Sequence, residues 1–419
     1  MTDIQTPPGL PLPDSTPDGR ARAIAMQAAS QAQCEPTGIV AYQSAGNLLV
    51  VGSDEGIDNA RESLAGYDGL SVTGLVRNAG DPAPLLSGWL GHFELQKSGN
   101  EPQVYDLVLD LGTPPLLDLE LPPPGYFAPG EDSAALQGAV AELAGLTGEF
   151  EKPQYYHYDA AICAHGRSGM TACTRCLDTC PTGAISSLGD TIEVNATLCQ
   201  GAGSCATACP TGAIGYSYPR LSDTLHRLRL LLQAYREAGG EDAVLLFHDA
   251  AAGREAVEQL APELPGCVIP VEVEEVGSLG MDVWLAALAY GAAAVRLLAV
   301  PSVPASVLRE VNLQLDVAGQ LLAGLGYPAS ILQLCQADDV LSGDLSGTKG
   351  RQPAGFAALD EKRSMIRLAV DHLHAQAPSA HTLVSLPAGA PFGEVLLDAA
   401  RCTLCMACVS QCPAHALAS

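Results

Sequence analysis

Short apolar runs separated by amphipathic stretches dominate the first third of the chain. Apolar runs of this kind are typical of buried strands, and they occur at LLVVG (48–52), LSVTGLV (70–76) and DLVLDLG (106–112). The pattern from Glu55 to Ala65 predicts a helix between the first two strands. We therefore expect an α/β domain over residues 21–150, preceded by a Pro-rich, polar and flexible tail at 1–20.

The same alternation returns with greater regularity in residues 222–340. Predicted strands lie at 243–249, 267–276, 294–300 and 329–335, and predicted helices at 223–238, 251–261, 280–292 and 305–325. Strands that alternate with helices over this length indicate a parallel sheet covered by helices. A polar linker is expected at 341–355, and residues 356–419 hold a further predicted helix near 358–376 and a final cysteine run.

The acidic composition limits the classes of partner. The formal net charge is −26, which argues against nucleic acid and against an anionic membrane surface, because phosphate groups are bound by Lys and Arg patches. The charge fits a protein that docks on a basic patch of its partner. The longest apolar stretch, around Trp284 to Val295, stops at Arg296 and is too short to span a bilayer.

The chain has fourteen cysteines, and they carry most of its chemical information. Its N-terminus has neither the basic start nor the apolar segment of a signal peptide. We therefore expect a cytoplasmic protein whose thiols stay reduced and bind metal rather than forming disulfides.

Two cysteine runs near the middle of the chain repeat each other, and both continue into CPTGAI, at 180–185 and 209–214. The bacterial ferredoxin run is C-x2-C-x2-C-x3-C-P. The cysteines that fit it are Cys173, Cys176 and Cys180 in the first copy and Cys199, Cys205 and Cys209 in the second. Met170 stands in place of the first cysteine of copy one, and Ala202 stands in place of the second cysteine of copy two.

On these motifs the central region resembles the bacterial-type 4Fe-4S dicluster ferredoxins, and the chain resembles a polyferredoxin-like electron-transfer protein. The resemblance implies an α+β ferredoxin fold over 155–218. The expected fold class is thus α/β and α+β multidomain, with two α/β segments flanking a dicluster domain and a C-terminal Fe–S motif. The resemblance also implies crossed ligation, in which the Cys-Pro cysteine of each run binds the cluster of the other run. The implied ligand sets are Cys173, Cys176 and Cys209 for one cluster and Cys199, Cys205 and Cys180 for the other.

Each implied set lacks one thiolate. For the first cluster, a [4Fe-4S] cluster, we expect Cys163 to supply it, since the intervening residues include two glycines and can loop back; His165 is the alternative. For the second, Ala202 has no ligand atom. Either this site holds a [3Fe-4S] cluster, or it holds a site-differentiated [4Fe-4S] cluster whose odd iron takes water, Ser204 or a distant cysteine. Seven central cysteines divide as four plus three, which favours [3Fe-4S].

The C-terminal run is complete and predicts a further [4Fe-4S] cluster. Its cysteines are Cys402, Cys405, Cys408 and Cys412. It has no partner run, so crossed ligation would leave Cys412 serving a cluster whose other ligands are absent. Three readings stay open: the sequence is part of a longer polyferredoxin, Cys412 closes its own cluster, or a partner chain completes the site.

These features together predict an iron–sulfur protein that relays single electrons and has no catalytic site of its own. By the resemblance, the natural partner is a formate dehydrogenase-like or hydrogenase-like redox enzyme. Residues 243–336 carry a strand followed by GSLGMD (277–282) and ALAYGA (287–292). On these motifs they resemble the delta subunit of methyl-viologen-reducing hydrogenases, although the cysteine pairs that bind a [2Fe-2S] cluster in that family are absent. The resemblance implies a docking domain in an electron-transfer complex. Two alternatives remain: an enzyme that uses an open-corner [4Fe-4S] cluster as a Lewis acid, and a maturation or scaffold protein for Fe–S clusters.

Overall fold

The computed structural model describes residues 12–13, 15–77, 83–97, 99, 101–130, 132–167, 170–342, 351–393, 395–411 and 417. Helices and strands are mixed along its whole length. Cys412, predicted as a cluster ligand, lies outside the described residues, as do 343–350 of the predicted linker and most of the predicted tail.

The N-terminal region centres on a four-stranded parallel sheet of order β3-β2-β7-β8. Its elements are α1 (Pro17–Ser30), β1 (Ile39–Ser44), β2 (Asn47–Gly52), α2 (Asp54–Leu64), β3 (Ser71–Val76), β4 (Leu85–Trp89), β5 (His92–Gln96), β6 (Gln103–Tyr105), β7 (Leu107–Asp110), β8 (Tyr126–Phe127), α3 (Ser133–Gly145) and β9 (Gly148–Pro153). Strands β4, β5 and β6 form a second, antiparallel sheet, and β1 pairs with β9. The strands predicted at 48–52, 70–76 and 106–112, and the helix between the first two, are confirmed.

The cysteine-rich region follows as two short helices and short antiparallel ribbons. Its elements are β10 (Tyr156–Tyr158), β11 (Gly166–Arg167), β12 (Met170–Thr171), α4 (Arg175–Thr179), β13 (Ile185–Leu188), β14 (Thr191–Val194), α5 (Ser204–Ala208) and β15 (Ile214–Tyr216). Strand β10 pairs with β15, and β13 pairs with β14 as the hairpin between the two cysteine runs. Each short helix ends at its Cys-Pro step, because the residue before a proline is restricted to extended conformations.

The second half of the chain forms a parallel sheet of order β17-β16-β18-β19, which confirms the predicted strand–helix alternation. Its elements are α6 (Leu221–Glu237), β16 (Val244–Asp249), α7 (Ala252–Leu260), β17 (Val268–Val273), α8 (Met281–Ala289), β18 (Ala294–Leu298), α9 (Ala305–Gly324), β19 (Leu332–Cys335), α10 (Ala337–Ser342), α11 (Lys362–Ala375) and α12 (Ala407–Gln411). Residues of α8 are buried all around the helix, since α11, α6 and α9 all pack against it.

Helix α1 packs on α6 rather than on the N-terminal sheet that follows it in sequence. Arg22 of this helix is 1% exposed, and its guanidinium donates hydrogen bonds to the carbonyls of Pro265 and Val268. The helix begins at Pro17, so residues 17–20 of the predicted tail are helical. The first helix of the chain is therefore part of the core built by its second half.

Among the described residues, no helix is both long enough and apolar enough to cross a membrane.

Candidate iron–sulfur centres

Four cysteines from three parts of the cysteine-rich region line one partly open cavity. They are Cys163, Cys173, Cys176 and Cys209. Helix α4 carries Cys176, the Cys-Pro step after α5 carries Cys209, and the loops around the β11–β12 ribbon carry the other two. Tyr158, Ile192 and Ile214 complete an apolar wall. Two thiols from the first run thus meet the Cys-Pro thiol of the second, in the crossed pattern that the resemblance implies.

The electrostatics of this first thiol group follow from its burial. Burial, together with the neighbouring thiols of Cys209, Cys173 and Cys163, raises the pKa of Cys176 to about 12. Without a cation the Cys176 thiol is therefore hard to ionise, because neighbouring thiolates repel one another in a poorly solvated space. Iron reverses that preference, since a coordinated thiol loses its proton to the metal charge. The site is thus built for a strongly cationic occupant.

His165 also lines this cavity, but both of its ring nitrogens have other partners. Nδ1 lies 2.7 Å from the carbonyl oxygen of Cys173, and Nε2 lies 2.7 Å from the hydroxyl of Ser187. The ring is 2% exposed. Its hydrogen bonds join the loop of Cys173 to strand β13, which is a structural role. The geometry therefore favours Cys163 over His165 as the fourth ligand.

A second group of three thiols lies next to the first. Burial raises the pKa of Cys205 well above its ordinary value, and the nearby thiols of Cys199, Cys180 and Cys176 add to the effect. Cys199 is influenced in turn by Cys180. This second thiol group thus contains Cys180, Cys199 and Cys205, and its Cys205 lies close enough to Cys176 of the first group for their charges to interact.

The position that lacks a cysteine in the second run is covered by another part of the chain. Ala202 is 7% exposed and belongs to the core of the second half. Its carbonyl oxygen lies only 2.6 Å from where a Cβ on Gly277 would be, and a Cβ on Gly203 would lie 2.4 Å from the Cα of Ser278. The turn at Val276–Ser278 therefore closes this corner against solvent.

The polar neighbours of Ala202 are already engaged. Ser204 is 1% exposed and donates its hydroxyl hydrogen to the carbonyl of Thr179. The Gln200 amide donates to the carbonyls of Leu121 and Pro122 in the N-terminal region. Both side chains hold loops together, and neither is a free substitute for the missing thiolate.

Comparison with known families agrees with this geometry. Residues 171–213 match the 4Fe-4S dicluster domain, and residues 395–418 match the 4Fe-4S binding domain. These two regions of the chain are therefore similar to ferredoxin-type iron–sulfur domains. No curated protein and no solved structure matches the chain. Cys163 lies before the first matched range, so its place among the thiols comes from the structure.

The repeated CPTGAI string of this ferredoxin-like region has a local explanation. Cys180 Sγ lies 3.3 Å from the hydroxyl oxygen of Thr182, and Cys209 Sγ lies 3.6 Å from that of Thr211. When the sulfur is a thiolate, the hydroxyl must be the donor. The threonine of each copy thus places a hydrogen bond on the thiol that serves the opposite group.

Arg175, between Cys173 and Cys176, was not singled out by the sequence. Its guanidinium donates to both carboxylate oxygens of Glu310 on α9, at 2.9 and 3.0 Å, and to the carbonyl of Gly389 at 2.7 Å. One side chain thereby joins the first thiol group, α9 and the loop that leads to the C-terminal motif.

The C-terminal motif is described through Cys402, Cys405 and Cys408. Cys405 and Cys408 are exposed. A backbone hydrogen bond from Ala407 and one from the Thr403 side chain lower the pKa of Cys405. Within the described ranges, no three His, Cys, Asp or Glu side chains converge on a point where they could hold a single metal ion. A cubane makes a different demand, because its thiolates bind separate irons.

Proposed function

We propose that the protein relays single electrons between a redox enzyme, formate dehydrogenase-like or hydrogenase-like, and an acceptor. The observation that carries the proposal is the adjacency of two thiol groups through Cys176 and Cys205. Two clusters held side by side in one small unit can exchange electrons without a moving part. Iron–sulfur clusters held by cysteine thiolates supply this one-electron chemistry when bound.

The donor sets fit three clusters. The proposed ligands are Cys163, Cys173, Cys176 and Cys209 for a [4Fe-4S] cluster, Cys180, Cys199 and Cys205 for a [3Fe-4S] cluster, and Cys402, Cys405, Cys408 and Cys412 for a C-terminal [4Fe-4S] cluster. The burial of Cys176 and Cys205 among neighbouring thiols supports the two central sets.

The packing at Ala202 supports a carrier over a Lewis-acid enzyme. A cluster that binds substrate needs an iron that substrate can reach. The turn at Val276–Ser278 lies against the backbone of Ala202 and Gly203, and Ala202 is buried. A three-iron cluster needs no ligand there.

The test is anaerobic purification followed by counting of iron and sulfide, with low-temperature EPR during a redox titration. We expect about seven central irons and a paramagnetic oxidised [3Fe-4S] signal that disappears in one-electron reduction. A protein that binds no iron, even after anaerobic reconstitution, would contradict the proposal. Clusters lost rapidly to a chelator would instead indicate a scaffold for cluster delivery.

Replacement of Ala202 by cysteine tests the nuclearity of the second cluster. Ala202→Cys supplies the missing thiolate, so we expect the three-iron EPR signal to be replaced by that of a reduced four-iron cluster, with one more iron per chain. Ala202→Val adds side-chain volume without a donor atom and is the matched control. An oxidised wild type that is EPR-silent and holds eight central irons would show that the site is a [4Fe-4S] cluster.

The partner we propose presents a basic docking surface, because the chain carries a net charge of −26. We further propose a cytoplasmic location, where thiols remain reduced. Neither nucleic acid nor an anionic membrane complements this charge.

A further inference from the structure

Lysine is rare in this protein, and two of the three lysines that the structure describes lie at the thiol groups. The four lysines are Lys97, Lys152, Lys349 and Lys362. Lys152 reaches the second thiol group from the N-terminal region, and Lys362 reaches the first from the start of α11. They lie on opposite sides of the central cysteine runs in the sequence, one before them and one after them.

Lys152 lies on β9 and points into the loop that carries Cys199. Its ammonium donates hydrogen bonds to the carbonyls of Thr197 at 2.8 Å and Cys199 at 2.5 Å, and it sits 4.9 Å from the ring centroid of Tyr42. Burial lowers the pKa of Lys152 to about 8, and the charge of Cys199 opposes that shift. The ammonium thus lies against the backbone of a proposed cluster ligand.

Lys362 contacts the backbone that leads from Cys205 to Cys209, the Cys-Pro cysteine of the first group, and it lines one cavity together with Cys209. It is 8% exposed, and its ammonium donates to the carbonyls of Ala206 at 2.8 Å and Thr207 at 2.6 Å, at the end of α5. Burial acts to raise the pKa of Cys209, but a backbone hydrogen bond from Ile214 and the positive charge of Lys362 lower it. Lys362 is thus a buried cation within electrostatic reach of the Cys-Pro thiolate.

Neither ammonium is paired with a carboxylate among the described residues, and both bind only backbone carbonyls. A buried charge without a counter-ion is costly, because water is replaced by a less polar surrounding. Thiolates and a cluster of negative charge provide the missing counter-charge. The placement is therefore explained by what the thiol groups hold.

We propose that Lys152 and Lys362 each set the reduction potential of one cluster. Lys152 acts on the cluster held by Cys180, Cys199 and Cys205. Lys362 acts on the cluster held by Cys163, Cys173, Cys176 and Cys209. This inference rests on the proposed function. Reduction adds one negative charge to a cluster, and a nearby fixed cation favours the reduced state. The two lysines act through charge, without ligating iron.

The experiment is an EPR-monitored redox titration of the full chain, purified anaerobically, with Lys152→Met and Lys362→Met. Each variant is expected to shift the reduction equilibrium of its own cluster about tenfold toward the oxidised state. For a one-electron couple, this corresponds to a reduction potential that is about 59 mV lower. The other cluster should shift far less. The oxidised three-iron signal and the reduced four-iron signal report the two clusters separately.

Conservative and remote variants separate charge from structure. Lys152→Arg and Lys362→Arg keep the charge and should restore the wild-type potential. Lys97→Met also removes one positive charge, directly after β5 in the N-terminal region, and should change neither reduction potential. Lys152→Gln and Lys362→Gln serve where a methionine variant does not fold.

Three results would overturn the inference. Methionine variants with full iron content and unchanged potentials would show that the charge is irrelevant. Equal shifts of both clusters would show a general charge effect. Iron loss in both the methionine and glutamine variants would show that the lysines only hold the loops. A wild type that binds no clusters would refute the proposed function itself, whereas the other results leave it standing.

Discussion

At the scale of single residues, the two cysteine gaps have different physical outcomes. Met170 is exposed, but Cys163 lies on the same cavity as three thiols of the runs. Ala202 is packed into the core of the second half, and its neighbours Gln200 and Ser204 already bond to backbone carbonyls. Two similar irregularities in sequence thus differ because another cysteine lies near the first gap, whereas the second gap lies in a packed interface.

The threonines after the Cys-Pro steps are predicted to tune the clusters. Thr211→Val and Thr182→Val remove the hydroxyl that lies near a thiolate sulfur while keeping the side-chain shape. Loss of a hydrogen bond to the sulfur disfavours the reduced, more negative state, so each potential should fall by on the order of tens of millivolts. The measurement is a redox titration of each variant.

Thr211→Ser and Thr182→Ser retain the hydroxyl and serve as controls for this prediction. The serine variants should stay close to the wild-type potentials. If valine and serine variants shift equally, the effect comes from packing and not from the hydrogen bond.

At the scale of elements, the short helix α4 connects to distant parts of the chain through one side chain. Arg175 pairs with Glu310, whose side chain is only 9% exposed, and holds the carbonyl of Gly389. The loop at 386–393 leads directly to the C-terminal motif. This contact therefore anchors the beginning of that motif beside the first thiol group.

Replacement of Arg175 is predicted to release this loop. Arg175→Met leaves the Glu310 carboxylate without its ion-pair partner and the Gly389 carbonyl without its donor, so amides in 386–393 should exchange hydrogen faster. Hydrogen exchange followed by mass spectrometry measures the change. The control is Arg309→Met, which replaces an arginine that is 68% exposed and lies next to Glu310 on α9. Equal protection of the amides in 386–393 in both variants would contradict the anchoring role.

At the scale of the whole molecule, the cysteine-rich region is held from both sides. Gln200 binds the carbonyls of Leu121 and Pro122 in the N-terminal region. On the other side, the backbone at Ala202 and Gly203 lies against Gly277 and Ser278 of the second half. The cluster-binding region is thus enclosed by its neighbours and does not stand apart as an independent ferredoxin.

A side chain at Gly277 is predicted to separate these regions. A Cβ there would lie 2.4 Å from Val307 Cγ1 and 2.6 Å from the Ala202 carbonyl oxygen, and both are in packed surroundings. We expect Gly277→Ala to lower the free energy of unfolding by about 1–3 kcal/mol, the usual cost of overpacking. It should also reduce the iron retained at the second group. Chemical denaturation and iron counting measure the two effects.

Gly319→Ala is the matched control, since a Cβ there meets no atom within 4 Å and the position is helical. It should stabilise α9 slightly, because alanine favours helix over glycine. If Gly277→Ala behaves like this control, the interface at Ala202 is looser than the contacts indicate.

The sequence by itself determined the elements and the chemistry. Apolar periodicity was enough for the strand at 48–52 and for the parallel sheet of the second half, because buried parallel strands need continuous apolar runs. Cysteine spacing was enough for two iron–sulfur regions, since short loops around a cluster demand fixed intervals. These signals are local, and a local pattern can be read without knowing the fold.

Only the tertiary structure decided the contacts that lie far apart in sequence. It placed α1 on α6, closed the corner at Ala202 with Gly277, and brought Lys152 and Lys362 to opposite thiol groups. A single lysine or glycine belongs to no spacing pattern from which its partner could be predicted. The folded chain supplies that partner, because packing two α/β regions around the cysteine runs fixes which side chains reach the clusters.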